Sequence, residues 1–251
     1  MRQISTLDDE SDLIVRSLAI DYAAGGREDR HSHMWPQFLY ACSGAVRAEV
    51  GGKWWLIPPR RGLWIPAGAN HRLRMSSRLQ LRTLYFSPAI ARGRNQIEAA
   101  NVSGLLHEAI LRVCELGSLD ARNSVNLSLA QIILEEVGHR DKSTIELTVP
   151  TDPRARKLSD LFLNQEQEAA AMHILCKRAG LSRRTAERLF LSETGLTPAQ
   201  WRRFAILAEA MVKIAGGVSI ENAAFSAGYQ SRSAFSEAFT RAFGIPPSAA
   251  R

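Results

Sequence analysis

The sequence predicts an α+β multidomain protein: a small N-terminal β-barrel or sandwich, then helices, then an all-α C-terminal domain. Three observations carry this. Residues 13–86 run as short apolar stretches broken by turns, and residues 104–138 change to a helical period. The last hundred residues hold an internal repeat in which a helix, a Gly-containing turn and a second helix occur twice. At 251 residues the chain is long enough for two domains that each bury a core.

In the first zone "AVRAEV", "GG" and "KWWLIPP" read as a hairpin between Ala45 and Ile57, with Gly51 and Gly52 at the tight turn. In the second, Leu105, Leu106, Ala109, Ile110 and Val113 form one apolar stripe and Leu129, Ile132, Ile133 and Val137 another. "HRDKSTIELTVPTDPRAR" then has the polar, Pro-containing texture of a linker, which places a boundary near Pro150. The expected units are residues 1–100, 101–150 and 151–251. "MRQISTLDDESDLIV" is polar and acidic without the apolar core of a signal peptide. No apolar run approaches the roughly 20 residues of a membrane span, so the expectation is a cytoplasmic protein with no membrane partner. Cys42, Cys114 and Cys176 are odd in number and in no C-x-x-C spacing, which predicts reduced, mostly buried thiols.

The repeat aligns "SRRTAERLFLSETGLTP" from Ser182 with "SRSAFSEAFTRAFGIPP" from Ser231 at a shift of 49 positions. Each copy opens on a Ser with N-cap chemistry after a turn in which Gly180 or Gly228 lets the chain reverse. Ahead of the turns lie "AAAMHILCKRA" and "SIENAAFSA". Ala186, Leu189 and Phe190 in one copy, and Phe235, Ala238, Phe239 and Phe243 in the other, fall at the spacing of a buried stripe. The outer face then carries Ser182, Arg183, Arg184, Thr185, Glu187 and Arg188 in the first copy. In the second it carries Gln230, Ser231, Arg232, Ser233, Ser236 and Thr240. Arginines and hydroxyls on the first turns of such helices suit major-groove reading, where Arg bonds guanine bidentately. Charge points the same way: residues 151–251 hold 14 Lys and Arg against 9 Asp and Glu, and the first 150 hold 18 against 16. The expected partner of the C-terminal domain is double-stranded promoter DNA.

These residues resemble the DNA-binding domain of AraC/XylS-type transcriptional regulators. The resemblance rests on Ser182, Arg184, Arg188, Phe190, Gly195 and Pro198, then Ile220, Ala224, Gly228 and Tyr229, then Ser231, Ser233, Phe235, Phe239, Gly244 and Pro247. Ala186 and Ala223 stand where Leu and Ile are usual. The resemblance implies two helix-turn-helix units joined by one long helix, "PAQWRRFAILAEAMVKIA", with Phe204, Leu207, Ala208, Met211 and Val212 as its buried stripe. Such a rod would let one chain touch successive major-groove faces, roughly 34 Å apart. It also implies that the helices at 104–138 pair subunits into a homodimer, against the plainer reading that they cap the barrel.

"GGREDRHSHMWPQFLYACSG" and "RGLWIPAGANHRL" resemble the two cupin motifs through Gly26, His31, His33, Gly44, Gly62, Pro66, Gly68 and His71. Gln37 stands where those motifs carry Glu, and Met75 at or beside the place of their Asn. An amide is a weaker ligand than a carboxylate for a hard dication, but three imidazoles could still hold zinc or a similar ion. Three readings stay open for His31, His33, Gln37 and His71: a non-catalytic metal site, a metal-free effector pocket that Trp35 and Trp64 also line, or a cupin oxygenase or isomerase fused to a DNA reader. The expected function is a DNA-binding transcriptional regulator, not an enzyme, controlled by a small molecule in the cupin-like barrel.

Overall fold

The computed structural model describes residues 12–75, 78–138, 145–163 and 170–250. The acidic N-terminal stretch, apart from its last residues, and residues 139–144 of the expected linker lie outside them. The barrel begins with β1 (Leu13–Tyr22), β2 (Arg27–His31), β3 (Gln37–Ser43), β4 (Val46–Val50) and β5 (Lys53–Ile57). It continues with β6 (Arg61–Ile65), β7 (His71–Arg74), β8 (Leu79–Phe86) and β9 (Glu98–Asn101). Then come α1 (Gly104–Leu116), β10 (Ser118–Asp120), α2 (Ser124–Val137) and β11 (Ile145–Thr148). The strands form a six-stranded sheet, β10-β1-β8-β3-β6-β9, and a five-stranded sheet, β11-β5-β4-β7-β2. The β4–β5 hairpin turns at Gly51 and Gly52, with φ of 61° and 72°. A two-residue turn that follows the right-handed strand twist needs this left-handed backbone at both positions.

Strand alternation divides the apolar residues between two cores. Leu39, Ala41, Leu63, Ile65 and Leu81 of the first sheet meet Val46, Ala48, Val50, Ile57 and Leu73 of the second. Phe38, Tyr40, Trp64, Leu84 and Phe86 point the other way, under α1 and α2. Leu106, Ala109, Ile110 and Val113 of α1 and Ile133 and Val137 of α2 cover them, as the helical period predicts. Leu105 and Ile132 depart from that prediction and are exposed, with Ala130 buried in the second stripe instead. The 130, 133, 137 spacing is the one that keeps to a single helix face.

The linker reading is corrected over residues 145–149. "IELTV" alternates, and β11 pairs with β5 in register Ile145↔Leu56 to Thr148↔Lys53. Leu147 and Val149 are buried there against Trp54. Residues 101–150 therefore contribute β10 and β11 to the barrel's sheets and are not a segment apart from it.

The C-terminal domain holds α3 (Pro153–Phe162), α4 (Met172–Arg178), α5 (Arg183–Thr194), α6 (Pro198–Ala215), α7 (Ile220–Ser226) and α8 (Arg232–Phe243). The helix α6 starts at a Thr197–Gln200 capping box with Pro198 in its first turn. Its buried face is wider than the expected stripe, because it serves two cores. Trp201 and Ala205 pack with Leu175, Phe190 and Phe162, while Leu207, Met211 and Ile214 pack with Phe235, Phe239 and Phe243. Phe204 and Ala208 are half-buried.

The domain sits on the outer face of the five-stranded sheet. Ala45 and Leu56 join the second core, and Trp54, Leu147 and Val149 join the first. Trp54 and Trp201 meet with ring centroids 5.0 Å apart, and Trp201 Nε1 donates to the Thr148 carbonyl at 2.9 Å.

Candidate nucleic-acid interface and histidine pocket

The two repeat units match in cap, length and stop. Ser182 Oγ accepts from Thr185 N at 3.1 Å and Ser231 Oγ from Ala234 N at 3.2 Å. Both α5 and α8 run 12 residues and end on a left-handed glycine, Gly195 or Gly244. Ala186, Leu189, Phe190, Phe235, Phe239 and Phe243 are buried, and Ala238 is half-buried. Arg183, Arg184, Glu187, Arg188, Gln230, Arg232, Ser233 and Thr240 are exposed, and Thr185 and Ser236 are half-buried. Ser182 and Ser231 are also exposed, but each hydroxyl is engaged as a cap, and Arg183 pairs along its helix with Glu187 at 3.2 Å. Arg184, Arg188 and Arg232 have no such partner among the described residues, so their guanidinium groups are available to a ligand.

The histidines converge. His31 ends β2 and His71 opens β7, paired in register, and His33 follows two residues after His31. Ring centroids lie 4.3 Å apart for His31 and His71 and 5.1 Å for His33 and His71. One ring nitrogen from each falls within 4.8 Å of the others. Each Nδ1 faces a backbone carbonyl: Asp29 at 2.8 Å for His31, Ala69 at 2.9 Å for His71, and Trp35 for His33. A carbonyl only accepts, so Nδ1 carries the proton and Nε2 of each neutral ring keeps its lone pair. His71 Nε2 is buried and has no hydrogen-bond partner. Burial lowers the His71 pKa to about 4, with His31 and His33 adding repulsion, and burial lowers that of His33.

Gln37 is buried behind these rings. Its amide nitrogen donates to Thr83 Oγ1 at 2.8 Å and Tyr85 Oη at 3.1 Å, which leaves Oε1 3.1 Å from His33 Nε2.

Comparison with known proteins accounts for both halves. The AraC-like ligand binding domain matches residues 18–115, and a helix-turn-helix domain matches residues 175–251. The chain belongs to the AraC-type transcriptional regulators. It is similar to the HTH-type transcriptional regulator NimR of Escherichia coli K12, 25% identical over 217 residues that make up 86% of this chain and 80% of that one. Among solved structures, ToxT from Vibrio cholerae aligns with 94% of this chain and 97% of its own, at 11% identity and a TM-score of 0.38. An AraC-type DNA-binding-domain regulator from Chromobacterium violaceum aligns with 40% of this chain and 91% of its own, at 24% identity and a TM-score of 0.38.

In this AraC-type regulator one expected pocket residue is misplaced. Trp64 does not line the histidine pocket: Leu63 and Ile65 face the barrel interior, so alternation turns Trp64 outward. It packs 5.2 Å from Phe86 and donates Nε1 to the Arg94 carbonyl at 3.1 Å. The aromatic wall is Tyr85, edge-on to His33 at 5.0 Å. Trp35 is half-buried, and its carbonyl, which receives His33 Nδ1, is its contribution to the pocket.

Sequence reasoning also missed the contact between the domains. Glu49 of β4 accepts from Arg30 at 2.7 Å, from Arg72 at 2.6 Å and from Arg156 of α3. Arg30 and Arg72 directly adjoin His31 and His71, so the two pocket strands and the DNA-binding domain meet on one carboxylate. Arg47 reaches Glu209 of α6 at 2.7 Å. These partners lie 107 and 162 positions apart and leave no local sequence signal.

Proposed function

We propose that this regulator reads double-stranded promoter DNA with the N-terminal turns of α5 and α8, and that a ligand at the three-histidine pocket controls that reading. The helix α6, at about 1.5 Å per residue, extends about 27 Å. That length is on the order of the roughly 34 Å between successive major-groove faces. Arg184, Arg188 and Arg232 are the base- or phosphate-reading groups, with Thr185, Gln230, Ser233 and Ser236 beside them. Two copies pair through α1 and α2, which leave Leu105, Leu116, Val125 and Ile132 exposed, and pairing would raise affinity for a longer site.

The ligand at the pocket includes a zinc-like dication. The observation that carries this is His71 Nε2, buried and unpartnered beside two more imidazoles whose Nδ1 atoms are also turned to carbonyls. Outer-shell anchoring of this kind orients metal-bound imidazoles, and three nitrogen ligands with an open position suit zinc. His31, His33 and His71 would hold the ion. When bound, it supplies a positive charge that an effector oxygen or nitrogen can complete. Catalysis is not part of this reading. Gln37 is neutral where the cupin motif carries its carboxylate, and the carboxylate that does stand near the rings, Glu28 with Oε2 4.0 Å from His31 Nε2, already accepts from Tyr22 Oη.

The test pairs elemental zinc analysis with operator binding by fluorescence anisotropy on the intact protein, before and after chelation. Wild type is expected to hold about one zinc per chain and to change operator affinity on chelation. His71→Ala is expected to lose the zinc and the response while keeping basal binding. A wild type that takes up no zinc and ignores chelation refutes the metal. A folded His71→Ala protein without basal binding refutes the separation of sensing from reading.

A further inference from the structure

The outer face of the five-stranded sheet carries an unusual row. Arg27 of β2 and Arg47 of β4 both stand directly opposite Arg74 of β7, so three arginines line up across three strands. Like charges directly opposite on antiparallel strands repel. The neighbouring row is balanced, because Arg72 stands opposite Glu49 and pairs with it. Arg47 pairs with Glu209 and lies 4.8 Å over the Trp54 ring. Arg74 has neither recourse: it is half-buried and makes no hydrogen bond or ion pair among the described residues.

Arg47, Arg72 and Arg74 line a half-open cavity of about 530 Å³ between the sheet and the DNA-binding domain, with Asp160 and Leu163 on its other side. Its acidic groups do not neutralise it. Glu49 is already shared by Arg30, Arg72 and Arg156. Burial pushes the Asp160 carboxyl up against the pull of Arg72 and Arg156, and burial is also the largest influence on Arg47, opposed by Glu209 and reinforced by Arg74 and Arg72. Among the described residues the cavity is a cationic chamber with one guanidinium fork unpartnered, Arg74, and a second, Arg47, held by one carboxylate.

We propose that this interdomain chamber binds a small organic dianion, a dicarboxylate or a phosphate monoester, on Arg74 and Arg47. Guanidinium forks match carboxylate and phosphate oxygens bidentately. The ligand is compact, because the apolar crevice past Leu56, Leu147 and Phe204 has a volume of only about 20 Å³ on the measure that gives the chamber about 530 Å³, so the room lies beside the arginines. Occupancy competes with Glu209 for Arg47 and so loosens one of the bridges that hold α6 to the sheet. That regulatory consequence rests on the reading of the chain as a ligand-controlled DNA binder; the binding itself does not.

The test is isothermal titration of the intact protein with succinate and with glycerol 3-phosphate, at ionic strength matched with sodium chloride and with acetate and glycerol as controls. One of the two dianions is expected to bind well above acetate, which also decides between carboxylate and phosphate. Arg74→Gln is expected to weaken that binding by about tenfold or more, Arg74→Lys by less, and His71→Ala not at all. Circular dichroism confirms that each variant is folded. The proposal is overturned if neither dianion outbinds acetate or if Arg74→Gln and Arg74→Lys both bind as wild type. Loss of binding in His71→Ala with Arg74→Gln unaffected also overturns it, and places the anion at the histidines.

Discussion

Replacing Glu49 by Gln keeps the shape of the side chain and removes its charge, which isolates the ion cluster that joins barrel to DNA-binding domain. Glu49 is 5% exposed and accepts from three guanidiniums and, at 3.3 Å, from Trp54 Nε1. A hydrogen bond to a charged group contributes about 1.5–3 kcal/mol when desolvated. The side chains of Arg30, Arg72 and Arg156 are 52%, 26% and 33% exposed, and water rescues them in part. Discounted to about 0.5–1 kcal/mol each for that screening, the three sum to about 1.5–3 kcal/mol, a large share of the typical 5–15 kcal/mol stability of a domain. The sign of the pH dependence follows. Burial opposes ionisation of Glu49, but Arg156 and Arg72 outweigh it and hold the carboxyl below its ordinary value. A depressed folded-state pKa stabilises above the unfolded pKa, and that contribution is lost as pH falls through the folded value. Urea unfolding of wild type and Glu49→Gln, followed by circular dichroism over a pH series, should show the full gap at pH 7 and a shrinking gap toward acid. A gap below about 0.5 kcal/mol at pH 7, the scale of an ordinary surface change, or one that holds constant into acid, would refute the role given to Glu49.

Phe239 is fully buried between Phe235 and Phe243, with ring centroids 5.5 and 4.8 Å away. Phe239→Ala should therefore cost about 3–5 kcal/mol by chemical denaturation, and a silent variant would mean the second repeat unit is misread. Gln37→Glu places a carboxylate beside three imidazoles: it should destabilise the metal-free protein and tighten zinc binding in a competition titration with a chromogenic chelator, and unchanged zinc affinity would remove Gln37 from the shell. With two copies paired through α1 and α2 as proposed, wild type should sediment as a dimer and Leu105→Asp or Val125→Asp as a monomer, and a monomeric wild type or an unchanged sedimentation coefficient in both variants would take α1 and α2 out of the pairing surface.

The C-terminal repeat was legible because its signals are local. Caps at Ser182 and Ser231, stripes of Phe and Ala, and glycine stops each act within one turn of helix, so spacing along the chain is spacing in the fold. The histidine cluster was legible for a related reason: His31 and His33 lie in one motif, and His71 pairs with His31 across adjacent strands. Trp64 was misassigned because a one-residue error of parity on a strand sends a side chain to the opposite face. In "RGLWIP" the apolar run gives no alternation to fix that parity, since both faces of β6 are buried. The strand β11 was read as linker because its apolar positions sit among Pro and charged residues, and only the exposed edge of β5 explains them. Glu49 and the arginine row had no signature at all, because their meaning depends on register between strands distant in sequence. All three histidines carried a motif, yet the groups that hold Gln37, Thr83 and Tyr85, carried none.

Operator binding by folded variants tests directly whether α5 and α8 are the reading helices. Fluorescence anisotropy with operator duplex and with an unrelated duplex of equal length, over a series of salt concentrations, separates base reading from phosphate attraction. Arg184→Ala and Arg232→Ala are each predicted to melt as wild type and to lose about 1–3 kcal/mol of operator affinity, roughly 5-fold to 150-fold, if the side chain reads a base. If it grips phosphate, the loss should extend to both duplexes and the salt dependence should become shallower by about one ion. Undiminished affinity for both duplexes in both variants, at every salt concentration, would contradict the assignment of these helices to DNA.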